Sequence, residues 1–271
     1  MSGSRDVQSF QEIRDIISST NPPRAPEARF LLTLIQTVAL AFRTPDSPRL
    51  TELVEFFHHY ENVAGNYPEN ETDMPIQLVN QWFSLIDKCF FFGVLTSTLD
   101  TQQGPRQVVE LHVENNPSCF KRPNWHANGC YDTVNRRLWI WLKVVDPLDD
   151  NTAKIARLPI LRPLYTVIHE SIHAYLDLFA DKNHPLYFEE VGKDRGHGPV
   201  FKEILHLVSE KVEVLTRSTM FAGERYMDPS GPPGSAAPRP PPANNSGTPH
   251  PANSDSPPSC NYDCIYHTHI V

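Results

Sequence analysis

The chain has 271 residues, 39% of them hydrophobic, and a formal charge of −8, which is enough to bury one good core with a helical annex. Five cysteines in this length do not read as a disulfide framework, which fits a reducing compartment. Residues 1–11 are polar, without a signal-peptide pattern, and the longest apolar run, Phe30 to Phe42, is too short for a bilayer and is interrupted by Thr33, Gln36 and Thr37; the expectation is an intracellular protein, nuclear or cytoplasmic, with no membrane contact.

Four helical patterns come first. Val7 to Ile17, Ala25 to Arg43, Leu50 to Val63 and Pro75 to Leu95 carry apolar residues at three- and four-residue spacing. Asn21-Pro22-Pro23, Thr44-Pro45 and the polar stretch 65–73 separate them. The first three patterns form an N-terminal extension, expected to pack on the rest of the chain or to hold a partner. Gln107 to Val113 alternates as a strand, with Val109, Leu111 and Val113 on one face. Asn128 to Tyr131 and Arg137 to Val144 read as a hairpin across the turn-prone Asp132-Thr133-Val134-Asn135. Trp139 and Trp141 share a face there, as core packing requires. Cys119, His126 and Cys130 form a loose cluster with a structural reading.

Residues 169–173 read His-Glu-Ser-Ile-His. Leu158, Ile160, Leu161, Leu164, Val167 and Ile168 precede the string, and Ile172, Ala174, Leu176, Leu178 and Phe179 run through and beyond it. That is the recurrence of a mostly buried helix, with Pro159 and Pro163 near its start, where proline is tolerated. On a helix, His169 and His173 face the same side and suit a shared Zn²⁺. Glu170 stands beside the metal without ligating it, placed to take a proton from a water held there. A buried helix makes two histidines and a glutamate costly unless they are paired or metal-bound.

Catalytic zinc normally has three protein ligands and an open position. His197, in Gly196-His197-Gly198-Pro199-Val200-Phe201, is the leading third ligand: the flanking glycines let backbone approach the metal closely, and Pro199 opens a helix running through Ile204, Leu205, Leu207 and Val208. His184, Glu189 and Glu190 in the same connection are its rivals. The longer zincin pattern is absent, since Leu176 and Phe179 occupy its glycine and third-histidine positions.

Between Pro229 and Ser259 lie 11 of the chain's 26 prolines and no large aliphatic or aromatic residue, so the tail reads as disordered. It ends on Cys260, Cys264, His267 and His269, whose spacing is too compact for a usual zinc finger.

His169-Glu170-Ser171-Ile172-His173-Ala174 followed by Gly196-His197-Gly198-Pro199-Val200-Phe201 resembles the SprT-like zinc metalloprotease family, whose signature is HExxHA and a downstream HGPxF. Leu85 to Leu95 is similar to its opening helix, and Gly129-Cys130-Tyr131 through Leu142 to its glycine-led hairpin. The likeness covers about residues 77–218. It implies His169, His173 and His197 as zinc ligands and Glu170 as catalytic acid/base. In zincin-like folds a strand placed like Leu138 to Leu142 commonly rims the cleft and pairs with an extended substrate. Members act on DNA-associated proteins. Residues 121–162 carry 8 basic and 4 acidic side chains, and Lys121, Arg122, Arg136, Arg137 and Lys143 among Trp125, Trp139 and Trp141 are the expected site of a weak DNA contact.

The sequence therefore reads as an α+β chain: a helical extension at 1–74, a zincin-like metalloprotease domain at 75–225, and a disordered Pro-rich tail at 226–271. The expected activity is zinc-dependent hydrolysis of protein substrates. A catalytically inactive, metal-stabilised binding module and a small-molecule metallohydrolase are the alternatives.

Overall fold

A computed structural model describes residues 27–41, 48–63, 73–101, 104–115, 128–145, 155–157 and 160–217. The expected helix Val7 to Ile17, the residues Cys119, Lys121, Arg122, Trp125 and His126, and the whole tail with Cys260, Cys264, His267 and His269 lie outside the described residues.

Helices form where the apolar stripe recurs. In α1 (Ala28–Ala41) the stripe is Leu31, Leu32, Ile35, Val38 and Ala39, all buried, and in α2 (Pro48–Val63) it is Leu50, Leu53, Phe56, Phe57 and Tyr60. In α3 (Asp73–Phe90) it runs through Val79, Trp82, Phe83, Ile86 and Phe90. Trp82 is the joint between these helices and the rest: Phe56 and Phe57 lie against its ring at centroid distances of 5.5 and 5.8 Å, and its Nε1 donates to the Leu164 carbonyl at 2.9 Å.

The third helix is shorter than its apolar pattern, ending at Phe90 rather than Leu95. Phe92 and Gly93 adopt φ of 64° and 70°, and the Gly93 N–H reaches back to the Asp87 carbonyl at 3.0 Å, a Schellman-type stop. The Asp87 carboxylate then accepts from the N–H groups of Leu95 and Thr96 and from the Thr96 hydroxyl, turning the chain toward the strands.

Strands β1 (Thr98–Thr101) and β2 (Gly104–Gln107) form an antiparallel pair. The strand expected over Gln107 to Val113 is broken, because Val108 and Val109 bond back to the carbonyls of Ser97 and Leu95. The central sheet is β3 (Glu110–Glu114), β4 (Gly129–Asp132) and β5 (Arg137–Trp141) in the order β3-β5-β4, with β5 parallel to β3 and antiparallel to β4. The hairpin turn is held by Asp132, whose Oδ1 accepts from the N–H groups of Val134 and Asn135. The second arm is split as well: Lys143–Val145 is β6, paired instead with β7 (Ile155–Arg157).

This order corrects one expectation. Leu138 to Trp141 is the middle strand, flanked on both sides, so its backbone has no ladder positions left for a substrate. On the helix side the outer strand is β4. The Trp141 N–H bonds the Asn128 carbonyl, so by antiparallel alternation the peptide groups of Gly129 and Tyr131 point away from β5.

Behind the sheet runs α4 (Leu161–Phe179), flanked by α3 and by α5 (Pro199–Thr216), with β4 and β5 across it and α1 closing against α5. One hydrophobic cluster runs through all five helices and the central sheet. The architecture is mixed α+β, and among the described residues no helix is long and apolar enough to cross a membrane.

Candidate metal centre

Every residue of α4 from Pro163 to Asp177 is buried, as a helix that is apolar on most of its circumference must be. His169 and His173 are 3% and 5% exposed, and Glu170 is wholly buried. His197 comes from the connection between α4 and α5. There a π-helical turn, Phe188–Gly192, leads into Asp194, Arg195 and Gly196, whose φ values are 50°, 63° and 91°. Three successive left-handed residues reverse the chain, and His197 follows at once. Gly198 is an extended residue ahead of Pro199, the first residue of α5.

The two glycines serve different ends within the chain itself. Gly196 supplies a positive φ. Gly198 packs against its own chain: a Cβ there would lie 2.3 Å from the Glu190 carbonyl oxygen, and its N–H bonds the Val191 carbonyl at 3.1 Å. Gly198 does permit a close approach, but the neighbour is backbone.

The three imidazoles converge. Nε2 of His169 lies 3.2 Å from that of His173 and 3.0 Å from that of His197, and the last two are 3.2 Å apart. Tetrahedral coordination with metal–nitrogen bonds of about 2.0–2.1 Å sets ligand nitrogens about 3.3–3.4 Å apart, so the donor set fits one zinc-sized ion. His197 Nδ1 is 2.9 Å from the Asp194 carbonyl. A carbonyl only accepts, so Nδ1 carries the hydrogen and Nε2 presents its lone pair inward. Among the described residues these three are the set close enough to hold a metal ion.

Burial, and then the neighbouring imidazoles, push the pKa values of His169 and His173 well below the ordinary 6.5. Both are neutral at physiological pH, which is the ligating form. Phe201 completes the cluster. Its ring lies 4.8, 4.4 and 4.7 Å from those of His169, His173 and His197. From sequence it was the last residue of the HGPxF string and an apolar position with no contact assigned to it; its place in the first turn of the helix that follows His197 was the available signal.

The rival ligands are engaged elsewhere. His184 Nε2 lies 3.3 Å from Glu27 Oε1, Glu189 is paired with Lys193, and Glu190 with Arg29 at 2.6 Å. At the far end of α4, Asp177 accepts from Lys182 Nζ at 2.6 Å and more weakly from the Tyr131 hydroxyl at 3.5 Å.

Of the described residues in the basic segment, Arg137 bonds Glu110 at 3.1 Å, Trp139 stacks on His112 at 4.5 Å, and Trp141 is 3% exposed. A base has no access to Trp141, and its place is the core. Cys130 is a buried thiol on β4.

Comparison with models of known families, with curated proteins and with solved structures finds no match.

Proposed function

We propose that the chain is a zinc-dependent endopeptidase of the SprT-like, zincin-like kind, acting on protein substrates that include proteins held on DNA. The observation that carries this reading is the convergence of the His169, His173 and His197 imidazoles, with Glu170 next to His169 on the buried helix that carries the first two. Three neutral nitrogens leave a fourth position open, the arrangement of catalytic rather than structural zinc.

When bound, the metal supplies a Lewis acid and lowers the pKa of a coordinated water from 15.7 to roughly 7. The remaining work falls to the chain. His197 is held in its ligating tautomer by the Asp194 carbonyl. Phe201 walls the imidazoles with apolar surface, which strengthens charge interactions in the site by keeping the local dielectric low. Glu170 takes the proton of the attacking water and returns it to the leaving amine, a role worth roughly 10²–10⁴ in rate.

The test is cleavage of an unfolded protein such as casein by the full chain loaded with zinc, with and without DNA, beside Glu170→Gln. The variant is expected to keep one zinc per chain and lose at least a hundredfold in rate. Equal cleavage by the variant removes Glu170 from the mechanism. A zinc-loaded wild type that cleaves nothing assigns the centre to stability instead.

A further inference from the structure

The segment that presents His197 is not held by its local bonds alone. Asp194 and Arg195 sit in the left-handed region, where an L residue with a Cβ is strained, and a connection of this kind needs outside contacts to persist. One comes from downstream, where Lys202 Nζ bonds Asp194 Oδ2 at 2.8 Å. Another comes from 161 residues upstream: Arg29 Nε, on the first turn of α1, bonds Glu190 Oε1 at 2.6 Å. Beside it, Glu27 meets His184 at 3.3 Å.

Glu190 is well placed to pass that restraint on. Its side chain is 8% exposed, so without a cationic partner its carboxylate is a buried single charge, which favours moving the turn outward into water. Its carbonyl is the atom against which Gly198 packs, and Gly198 is hydrogen-bonded to Val191. A shift at Glu190 therefore displaces the residue directly after His197, whose Nε2 must stay within 3.0–3.2 Å of two others.

We infer that the Arg29–Glu190 pair is a positioning device for the metal centre, through which α1, an element outside the motif-bearing region, fixes the backbone that carries His197. This rests on His169, His173 and His197 being a metal site. It gives the first helices a task in the chemistry beyond covering the core.

The experiment measures Zn²⁺ affinity of the full chain by competition with a chromophoric chelator, together with the melting temperature of the metal-free protein. The variants are Arg29→Met, Arg29→Lys and Glu190→Gln. Arg29 is 58% exposed, so its substitution leaves the core intact. Arg29→Met is expected to weaken Zn²⁺ binding about tenfold, at the lower end of what outer partners of metal ligands contribute. Arg29→Lys restores much of that loss, and Glu190→Gln falls between, with metal-free melting close to wild type throughout. Wild-type affinity in Arg29→Met overturns the inference, and so does a lowered metal-free melting temperature with unchanged affinity, which marks a purely structural ion pair. If the wild type itself fails to bind one zinc, the underlying metal site falls, a separate and distinguishable result.

Discussion

Arg195 and Gly198 lie three residues apart and make opposite demands on a side chain. Arg195 has φ 63°, a conformation that costs an L residue about 1–2 kcal/mol and costs glycine nothing. Glycine adds roughly 0.5–1 kcal/mol of chain entropy to the unfolded state. Arg195→Gly is therefore expected to stabilise the metal-free protein by about 0.5–1 kcal/mol, read by urea denaturation; a loss of stability would mean that the guanidinium makes up for the strain. Gly198→Ala goes the other way. Its Cβ would meet the Glu190 carbonyl oxygen at 2.3 Å and the Val191 nitrogen at 2.8 Å, both backbone atoms with little room to yield. A cost of about 1–3 kcal/mol is expected, together with weaker zinc binding, because the displaced atoms adjoin His197. The grouping of the three histidines was legible in sequence at this scale because metal ligation uses few residue types, two of them here at a fixed helical offset. The contact of Phe201 with the imidazoles was not, since an aromatic on a helix face has the same pattern whether it meets aliphatic core or imidazoles.

Among the elements, α3 is informative because its apolar periodicity runs past its end. Phe91, Phe92 and Leu95 continue the buried pattern while the backbone has already turned, so hydrophobic spacing could not mark the stop. The stop belongs to Asp87, fully buried among acceptor-seeking N–H groups. Burial raises its pKa from 3.8 to about 6, more than the hydrogen bonds from Thr96 and Leu95 lower it. A group whose folded pKa lies above its unfolded one binds more protons in the fold, so its contribution is fully present below pH 3.8 and is lost as pH rises through about 6. In the metal-free protein, the stability difference between wild type and Asp87→Asn should shift against the wild type as pH is raised from 4 to 7. Denaturant midpoints of the two proteins across that range measure it directly, and a constant difference would show that Asp87 stays ionised. The strands were less legible than the helices for a related reason: Val109 satisfies the period-2 pattern of Leu111 and Val113, but backbone bonds from Val108 and Val109 to Ser97 and Leu95 decide where the ladder breaks.

At the scale of the molecule, helical periodicity together with the period-2 stretches was enough to anticipate an α+β chain, because amphipathic elements must bury their apolar faces against something. The order β3-β5-β4 was beyond reach, since a parallel pair depends on a partner distant in sequence. The candidate metal centre spans this whole arrangement. His169 and His173 come from α4, His197 precedes α5, and α1 reaches the connection between them. An ion that binds only the folded chain must therefore stabilise the fold as a whole, by about 4 kcal/mol when its free concentration is a thousand times its dissociation constant. At roughly 2–4 °C per kcal/mol for a protein of this size, zinc should raise the melting temperature by about 8–16 °C, and a chelator should reverse the rise. Protons oppose it. The folded-state pKa values of His169 and His173 lie well below 6.5, so the unfolded chain takes up protons first as pH falls below about 6.5, and the metal-free fold loses stability over that interval. A metal ion bound there would extend the loss to lower pH by competing for the same nitrogens. Replacing any one of the three histidines by alanine should abolish most of the zinc-induced rise in melting temperature; a rise that survives His197→Ala would place the third ligand elsewhere.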